Sequence, residues 1–371
     1  MKRFLTYLLS GLMLSAFLHA CKVHEWPDPY KPVQVNLDLV FATELPLYQV
    51  VPATGRASTS IDDYDIRYQV WAYLLNENDD YDEEHPAYKF TFSRDDVLKL
   101  DYSTQISIDQ PGRYHLICWT DYVDQGSIDH KFYVTESFTT ITLRGDSEAA
   151  HVGSNDFRDA FWGTTNIEIP KLEISEDVSI DATINLERPM AKYTFISTDL
   201  DQFVTRVLEL RAEIARTKAQ EQAAAEGRAV TEEELKNPEF ETRVNLNDFR
   251  VVFTYTAWMP YIFNAHQNKP IYSHAPRSVQ FDSKLVDLGN NEAELGFDYF
   301  MVNGKSTDTD VSMAVYDKDG TFITSQEVKK IPLTRSKLTI VKDKFLTAEA
   351  DGGVGINPDF DGDHNWVVED K

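Results

Sequence analysis

A mostly β fold is predicted, with one long helix in the second half of the chain. Three observations predict it. Residues 33–41, 66–74 and 178–186 alternate apolar and polar side chains at period two, the signature of a strand with one face in a core. Turn signals such as Pro111-Gly112 and Asp317-Lys318-Asp319-Gly320 separate such runs. Only one long stretch, from about residue 200 to 228, carries apolar residues at helical spacing. A length of 371 residues fits two domains or one large all-β domain, and 42% hydrophobic with 12% aromatic residues is enough to fill cores.

The chain opens with Met1, Lys2 and Arg3, an apolar run over 4–18, and Leu18-His19-Ala20-Cys21. Two positive charges, a short apolar core and a small residue before a cysteine predict a bacterial lipoprotein signal over 1–20. Cys21 then becomes the acylated first residue of the mature chain. The run is short for a membrane span and no stop-transfer pattern follows it. Residues 21–32 contain Pro27, Pro29 and Pro32, which forbid helix and sheet and predict an extended tether.

The first domain is expected over 33–175. In 33–41, Val33, Val35, Leu37 and Leu39 share a face. In 66–74, Ile66, Tyr68, Val70, Ala72 and Leu74 do. Further strands are expected at 88–92, 105–108, 112–121, 132–135 and 138–143. Residues 79–84 (Asp-Asp-Tyr-Asp-Glu-Glu) form a loop tip, read either as a calcium site or, preferably, as a solvated acidic loop. Cys118 lies in an apolar strand-like run and reads as a buried structural thiol; with Cys21 acylated it has no disulfide partner.

The second domain is expected over 176–371. Ile180, Ala182, Ile184 and Leu186 should face inward, and Ser179, Asp181, Thr183 and Asn185 outward. A strand at 191–197 follows. A helical insertion is expected over about 199–236. Thr198-Asp199 caps it, and Asp201 sits in its first turn. Phe203, Val207, Leu210 and Ile214 form a stripe for sheet packing. It restarts at Thr231 and stops at Asn237-Pro238. Strands return at 250–258, 293–302, 311–316, 322–327 and 338–341.

The formal net charge of −25 becomes −27 once Lys2 and Arg3 leave with the signal. Such a surface repels phosphate backbones, which excludes nucleic acid as a partner. It also repels anionic lipid, so attachment falls to acyl chains. No nucleophile elbow, zinc-protease motif, phosphate loop or Cys-x-x-Cys pair is present, so no enzyme activity and no cofactor are predicted. Asn357, Asp359 and Asp361, with Gly362, match the first half of a calcium loop. Val368 stands where the closing Glu belongs, which favours a plain acidic turn.

Four stretches in order resemble the fimbrillin-like superfamily of Bacteroidales, and within it the FimB-type anchor subunits of type V pili. They are His24-Glu25-Trp26-Pro27 after the lipobox cysteine, Phe157-Arg158-Asp159-Ala160-Phe161-Trp162-Gly163, Leu186-Glu187-Arg188-Pro189-Met190-Ala191-Lys192, and Gly353-Val354-Gly355-Ile356-Asn357-Pro358-Asp359-Phe360. The resemblance implies two tandem β-sandwich domains of transthyretin-like topology, with the long helix in the second, and a non-enzymatic, surface-exposed outer-membrane lipoprotein. It also implies pilin subunits of the same system as partners, joined by β-strand addition, with 33–41 the candidate first strand. Shaft subunits of that family are cleaved after an arginine in a loop like that of Arg56. A lipid-retaining anchor should not be, since the cut would release the body from Cys21.

The rival reading is a surface adhesin for glycans or host proteins. It expects Trp71, Trp119 and Trp258 on an exposed platform, whereas the anchor reading expects these rings mostly in the core.

Overall fold

The alternation of residues 33–41 builds one strand, β1 (Val33–Phe41), whose Val33, Val35, Leu37, Leu39 and Phe41 are buried. The computed structural model describes residues 31–41, 61–97, 99–144, 151–171 and 178–347, and the backbone of 366–369. Along the chain follow β2 (Tyr64–Leu74), β3 (Tyr88–Arg94), β4 (Tyr102–Ile108), β5 (Gly112–Asp124), β6 (Tyr133–Val134), β7 (Ile141–Leu143), β8 (Ala160–Ile169), β9 (Ser179–Leu186) and β10 (Met190–Ser197). Helices α1 (Leu200–Ala225) and α2 (Glu232–Lys236) come next. Then come β11 (Arg250–Tyr255), β12 (Met259–Asn264), β13 (Lys269–His274), β14 (Gln280–Lys284), β15 (Val286–Gly289), β16 (Glu292–Met301), β17 (Ser306–Tyr316), β18 (Phe322–Thr334), β19 (Leu338–Asp343) and β20 (Trp366–Glu369). The fold is mostly β, with one long helix.

Sheet β4-β1-β9 faces sheet β3-β2-β5-β8 in the first sandwich. The contact is aromatic: Tyr68 of β2 meets Phe41 of β1 edge to face, and stacks on Tyr102 of β4. Sheet β15-β16-β10-β19-β20 faces sheet β14-β11-β17-β18 in the second. There Phe195 of β10 meets Phe253 of β11, and the missing side chain of Gly296 lets Phe253 and Ser283 approach.

The half-buried pattern expected for 66–74 is incomplete. Every residue of β2 except Leu74 is buried, on both faces. The second face carries Trp71 and Tyr73, joined from β5 by Ile117 and Trp119. A fifth sheet, β13-β12-β7-β6, covers it. Trp71 stacks on Phe138 at 4.0 Å, and Trp119 packs against Phe263 of β12. The first sandwich is therefore a three-layer stack. Leu74 lies at the strand end and is exposed.

The expected division between residues 175 and 176 is crossed twice. Strand β9 points its side chains as expected, with Ile184 and Leu186 buried and Ser179, Asp181, Thr183 and Asn185 exposed. It does not open the second sandwich, however: it pairs in parallel with β1, from Gln34↔Ser179 to Phe41↔Leu186. The hairpin β12–β13, from the second half of the chain, pairs through Ile262 and Phe263 with β7 of the first. Apolar faces are satisfied by whichever segment reaches them, regardless of sequence position.

Strands β8, β12, β13, β14, β15 and β20 were not foreseen. Pro260 and Pro270 interrupt two of them, and register shifts break the β12–β13 ladder, so no period-two pattern marks them. The 199–236 helix is two helices. Thr231 and Glu234 form a reciprocal capping box on α2. Asp199 precedes α1 but makes no side-chain cap to it. Its buried carboxylate instead accepts from the Thr347 amide at 2.8 Å and the Thr347 hydroxyl at 2.6 Å, tying the helix start to the segment after β19. Of the expected stripe, Phe203 and Val207 are buried, with Phe203 against Phe249, while Leu210 and Ile214 are half-buried. Past Ala212 only Ala223 is buried, so packing holds mainly the first turns.

Sheets β4-β1-β9 and β3-β2-β5-β8 close against each other at Gly163. A side chain there would place its Cβ 2.3 Å from the Asn185 carbonyl oxygen and 2.8 Å from Ile184. Gly163→Val should therefore destabilise the protein by about 1–3 kcal/mol, the usual cost of overpacking. A urea midpoint equal to wild type would refute that close approach.

Candidate functional site: an unguarded sheet edge and the joint behind it

Edge strands present unpaired amides and carbonyls, and proteins blunt them with lysine, proline or bulges. Strand β4 carries none of these. Its seven residues, Tyr-Ser-Thr-Gln-Ile-Ser-Ile, hold no charge and no proline, and the ladder to β1 runs without a register shift from Val33↔Ile108 to Leu39↔Tyr102. Among the described residues nothing pairs with its other side. By contrast, the neighbouring edge β3 carries Lys89 and Arg94, and β13 carries Lys269 and Pro270.

The floor beside this edge is apolar. Sheet β3-β2-β5-β8 is one strand wider than its partner, so the inward residues Tyr88, Phe90 and Phe92 of β3 are only half-buried. Tyr102 reaches over them, stacked on Tyr68 at 4.7 Å and edge-on to Phe92. Both ends are tied. At one, the Arg94 guanidinium donates to the carbonyls of Asp96, Lys99 and Asp101. At the other, the Tyr88 hydroxyl donates to Asp109 and accepts from the Gln110 amide at 3.1 Å. Chemically this arrangement can add a strand: main-chain bonds to β4, and side chains at alternate positions over Phe90 and Phe92.

Behind the site, the two sandwiches meet through buried charge. Asp298 of β16 pairs with Arg158, lies 2.7 Å from His151 Nε2, and accepts the Tyr255 hydroxyl at 2.7 Å. Tyr193 donates to Tyr255 in turn, at 2.9 Å. Arg188 pairs with Asp159 at 2.6 Å and Lys192 with Asp156 at 2.5 Å. The strap carrying these groups inserts into the second sandwich: the Ser154 amide donates to the Phe297 carbonyl at 2.7 Å, and a Cβ on Gly153 would fall 2.2 Å from Phe281. Burial raises the Asp298 pKa, but Arg158 and His151 outweigh it and hold the carboxyl below its ordinary range. Burial, with Arg158 beside it, lowers the pKa of His151.

The structure brings together residues of two quoted stretches, Arg158 and Asp159 with Arg188 and Lys192, at this joint. Cys21, Arg56, and Asn357, Asp359 and Asp361 lie outside the described residues. Cys118 is fully buried, and burial pushes its thiol up to about 12. In the acidic loop, Asp79 pairs with Arg113 and Asp82 with His85. Among the described residues no group of three or more His, Cys, Asp or Glu could hold a metal ion, and no helix is long and apolar enough to cross a membrane. Trp71 and Trp119 are in the core, whereas Trp258 is 60% exposed. Sequence reasoning missed both the edge and the joint. The uncharged run 102–108 was a signal for the first. For the second, the stretches holding Arg158, Asp159, Arg188 and Lys192 were quoted only for their resemblance; their pairing was not read, and nothing singled out Asp298 among so many carboxylates.

Asp298→Ala would strand Arg158 in the interior and should cost about 3–5 kcal/mol, read by denaturant unfolding; a loss comparable to a surface substitution would show that the pairing is not needed. Because folding lowers the His151 pKa, the unfolded chain binds more protons just below the ordinary histidine value of about 6.5. Stability should fall as pH drops below that value toward the lowered folded one, and His151→Phe should flatten that slope; an unchanged slope would count against it.

Among solved structures, the chain is similar to the fimbrial anchor protein Mfa2 from Porphyromonas gingivalis, at 11% identity and TM-score 0.36, covering 83% of this chain and 90% of that chain. It is also similar to a fimbrial assembly protein from Parabacteroides distasonis, at 11% identity and TM-score 0.35, covering 84% and 92% respectively. No curated protein matches the chain significantly. The model described as "Family of unknown function (DUF6562)" matches residues 31–369, and the chain belongs to that family.

Proposed function

We propose that this protein is a non-enzymatic surface lipoprotein of the FimB-type anchor class, holding fimbriae to the outer membrane as an anchor or structural subunit. In this reading acyl chains on Cys21 enter the membrane, the tether 21–32 spaces the body from it, and a pilin strand adds to the first sandwich. The observation that carries it is the unguarded β4 edge above a half-buried aromatic floor. Added strands gain main-chain hydrogen bonds along β4 and cover what remains exposed of Phe90 and Phe92; since both are already half-buried, each gains less than the roughly 1.5–3 kcal/mol of burying a fully exposed side chain. Asn357, Asp359 and Asp361 are read as an acidic turn rather than a metal site.

A second reading, a surface adhesin for glycans or host proteins, is favoured by one observation: Trp258 and Tyr272 are each 60% exposed. A glycan array with no ligand would weigh against it.

Deletion of the protein should change the number, length or retention of surface pili; unchanged pili would refute the anchor role. Cys21→Ser should release the protein and its partner into the medium, and a variant still bound to membrane with its partner would refute lipid attachment. Ser103→Lys with Gln105→Lys places edge charges on exposed positions and should leave the melting temperature nearly unchanged. The same pair should lower recovery of pilin in pull-downs, and full recovery would move the partner elsewhere.

A further inference from the structure

We infer that the β4 edge takes a single isolated strand, not the edge of another sheet, and selects a segment in which uncharged polar residues alternate with apolar ones; this rests on the strand-addition reading proposed above. The exclusion of sheet edges comes from β3. It projects past β4 as a ledge, with Tyr88, Phe90 and Phe92 half-buried on its inner side. Arg94 fixes the ledge at one end, on the carbonyls of Asp96, Lys99 and Asp101, and Tyr88 with Asp109 and Gln110 fixes it at the other. A sheet edge pairing with β4, apolar face beside apolar face, brings its own second layer into the space that the ledge occupies. A second copy of this chain illustrates the conflict: β4 paired antiparallel with its twofold mate drives the two β3 strands into each other. Turned over to avoid that, the visiting sheet lays its apolar face beside the exposed Ser103, Gln105 and Ser107. A lone strand has no second layer. It widens the three-stranded sheet to four strands, the width of the sheet it faces. The ledge thus protects β4 from other sheets as lysine and proline protect other edges.

The sequence preference comes from the two faces of β4. On the outer face, side chains form rows across the sheet. Gln105 donates to Asn36 at 3.0 Å and Asn36 to Asp181 at 2.8 Å. Ser103 donates to Asp38 at 2.6 Å, and Gln34 donates to Ser107 at 3.2 Å. On the side away from β1, Gln105 keeps its carbonyl oxygen and one amide hydrogen, Ser103 an acceptor oxygen and Ser107 its hydroxyl hydrogen. Asn, Gln, Ser or Thr opposite these positions continues the rows. A carboxylate there joins rows that already end on Asp181 and Asp38, in a chain of net charge −25. On the inner face, Ile106 and Ile108 are buried, whereas Tyr102 and Thr104 are half-buried. Thr104 has the shortest side chain of the four, so a large apolar residue opposite it can reach the floor of Phe90 and Phe92. The seven residues of β4 span about 23 Å at strand rise, which sets the length of the segment.

Fluorescence anisotropy with labelled synthetic peptides tests this on the mature chain carrying Cys21→Ser. The probe is Val-Asn-Leu-Asn-Leu-Asn-Val, capped at both ends, whose alternation reads the same in either strand direction. It should bind about tenfold or more tighter than Val-Leu-Asn-Asn-Asn-Leu-Val, which has the same residues without the alternation, and than Val-Glu-Leu-Glu-Leu-Glu-Val. Equal binding of the three, or binding of none, would overturn the selection. Thr104→Phe lays a ring on the floor; it should keep the melting temperature and weaken the probe about tenfold, and unweakened binding would move the peptide off this edge. The free chain should sediment identically with and without Ser103→Lys and Gln105→Lys; a dimer that this pair dissolves would overturn the exclusion of sheet edges. A chain that selects the probe while its deletion leaves pili unchanged would refute the anchor role and not the strand site. One that recovers pilin but shows no preference among the peptides would refute the selection and not the anchor role.

Discussion

The constraint on which the structure depends is that the central strands of sheet β3-β2-β5-β8, β2 and β5, are buried on both faces. A sheet with one apolar face is satisfied by a single partner. Here Tyr68, Val70 and Leu116 look one way, and Trp71, Tyr73, Ile117 and Trp119 look the other. Two layers must cover it. The chain supplies one from β4-β1-β9 and the other from a composite sheet, part of which comes from beyond residue 258. That requirement draws the β12–β13 hairpin out of the second sandwich and onto the first. It makes two sandwiches into one body with a continuous core.

Once the sandwiches are so joined, the polar groups between them are sealed from water. Buried charges survive only in pairs, and here they come in linked sets around Asp298 and Asp159. Such pairs add little net stability over an apolar contact of the same shape. What they add is geometry: a guanidinium and a carboxylate accept few orientations, so the strap 151–159 and the turn at Arg188-Pro189 have one seat. The same stacking leaves the β4 side short of a strand, because the narrower sheet stops before the wider one does.

Much of this was legible in residue order, and the failures are informative. The strands at 33–41 and 179–186 were readable because each has one buried and one exposed face. Strand β2 was readable as a strand but not as doubly buried, since its second face is built from Tyr, Trp, Gln and Arg, types that also occur at surfaces. Strands β12 and β13 were unreadable: proline and shifted register erase the period where the hairpin wraps another sheet. Asp199 was legible as a helix-start residue, but its carboxylate is spent on Thr347, more than a hundred positions away.

By itself the sequence determined the β class, the long helix that follows Asp199 and the strongly acidic composition. These are set by composition and local periodicity, which neighbours in the chain suffice to express. Only the tertiary structure decided that β9 belongs beside β1, that the second half of the chain covers the first, and which carboxylates are buried, Asp298 with Asp65, Asp121, Asp159 and Asp199. It also decided that β4 is an edge. Pairing, burial and edges depend on which surfaces meet across long loops, and no local pattern encodes that choice.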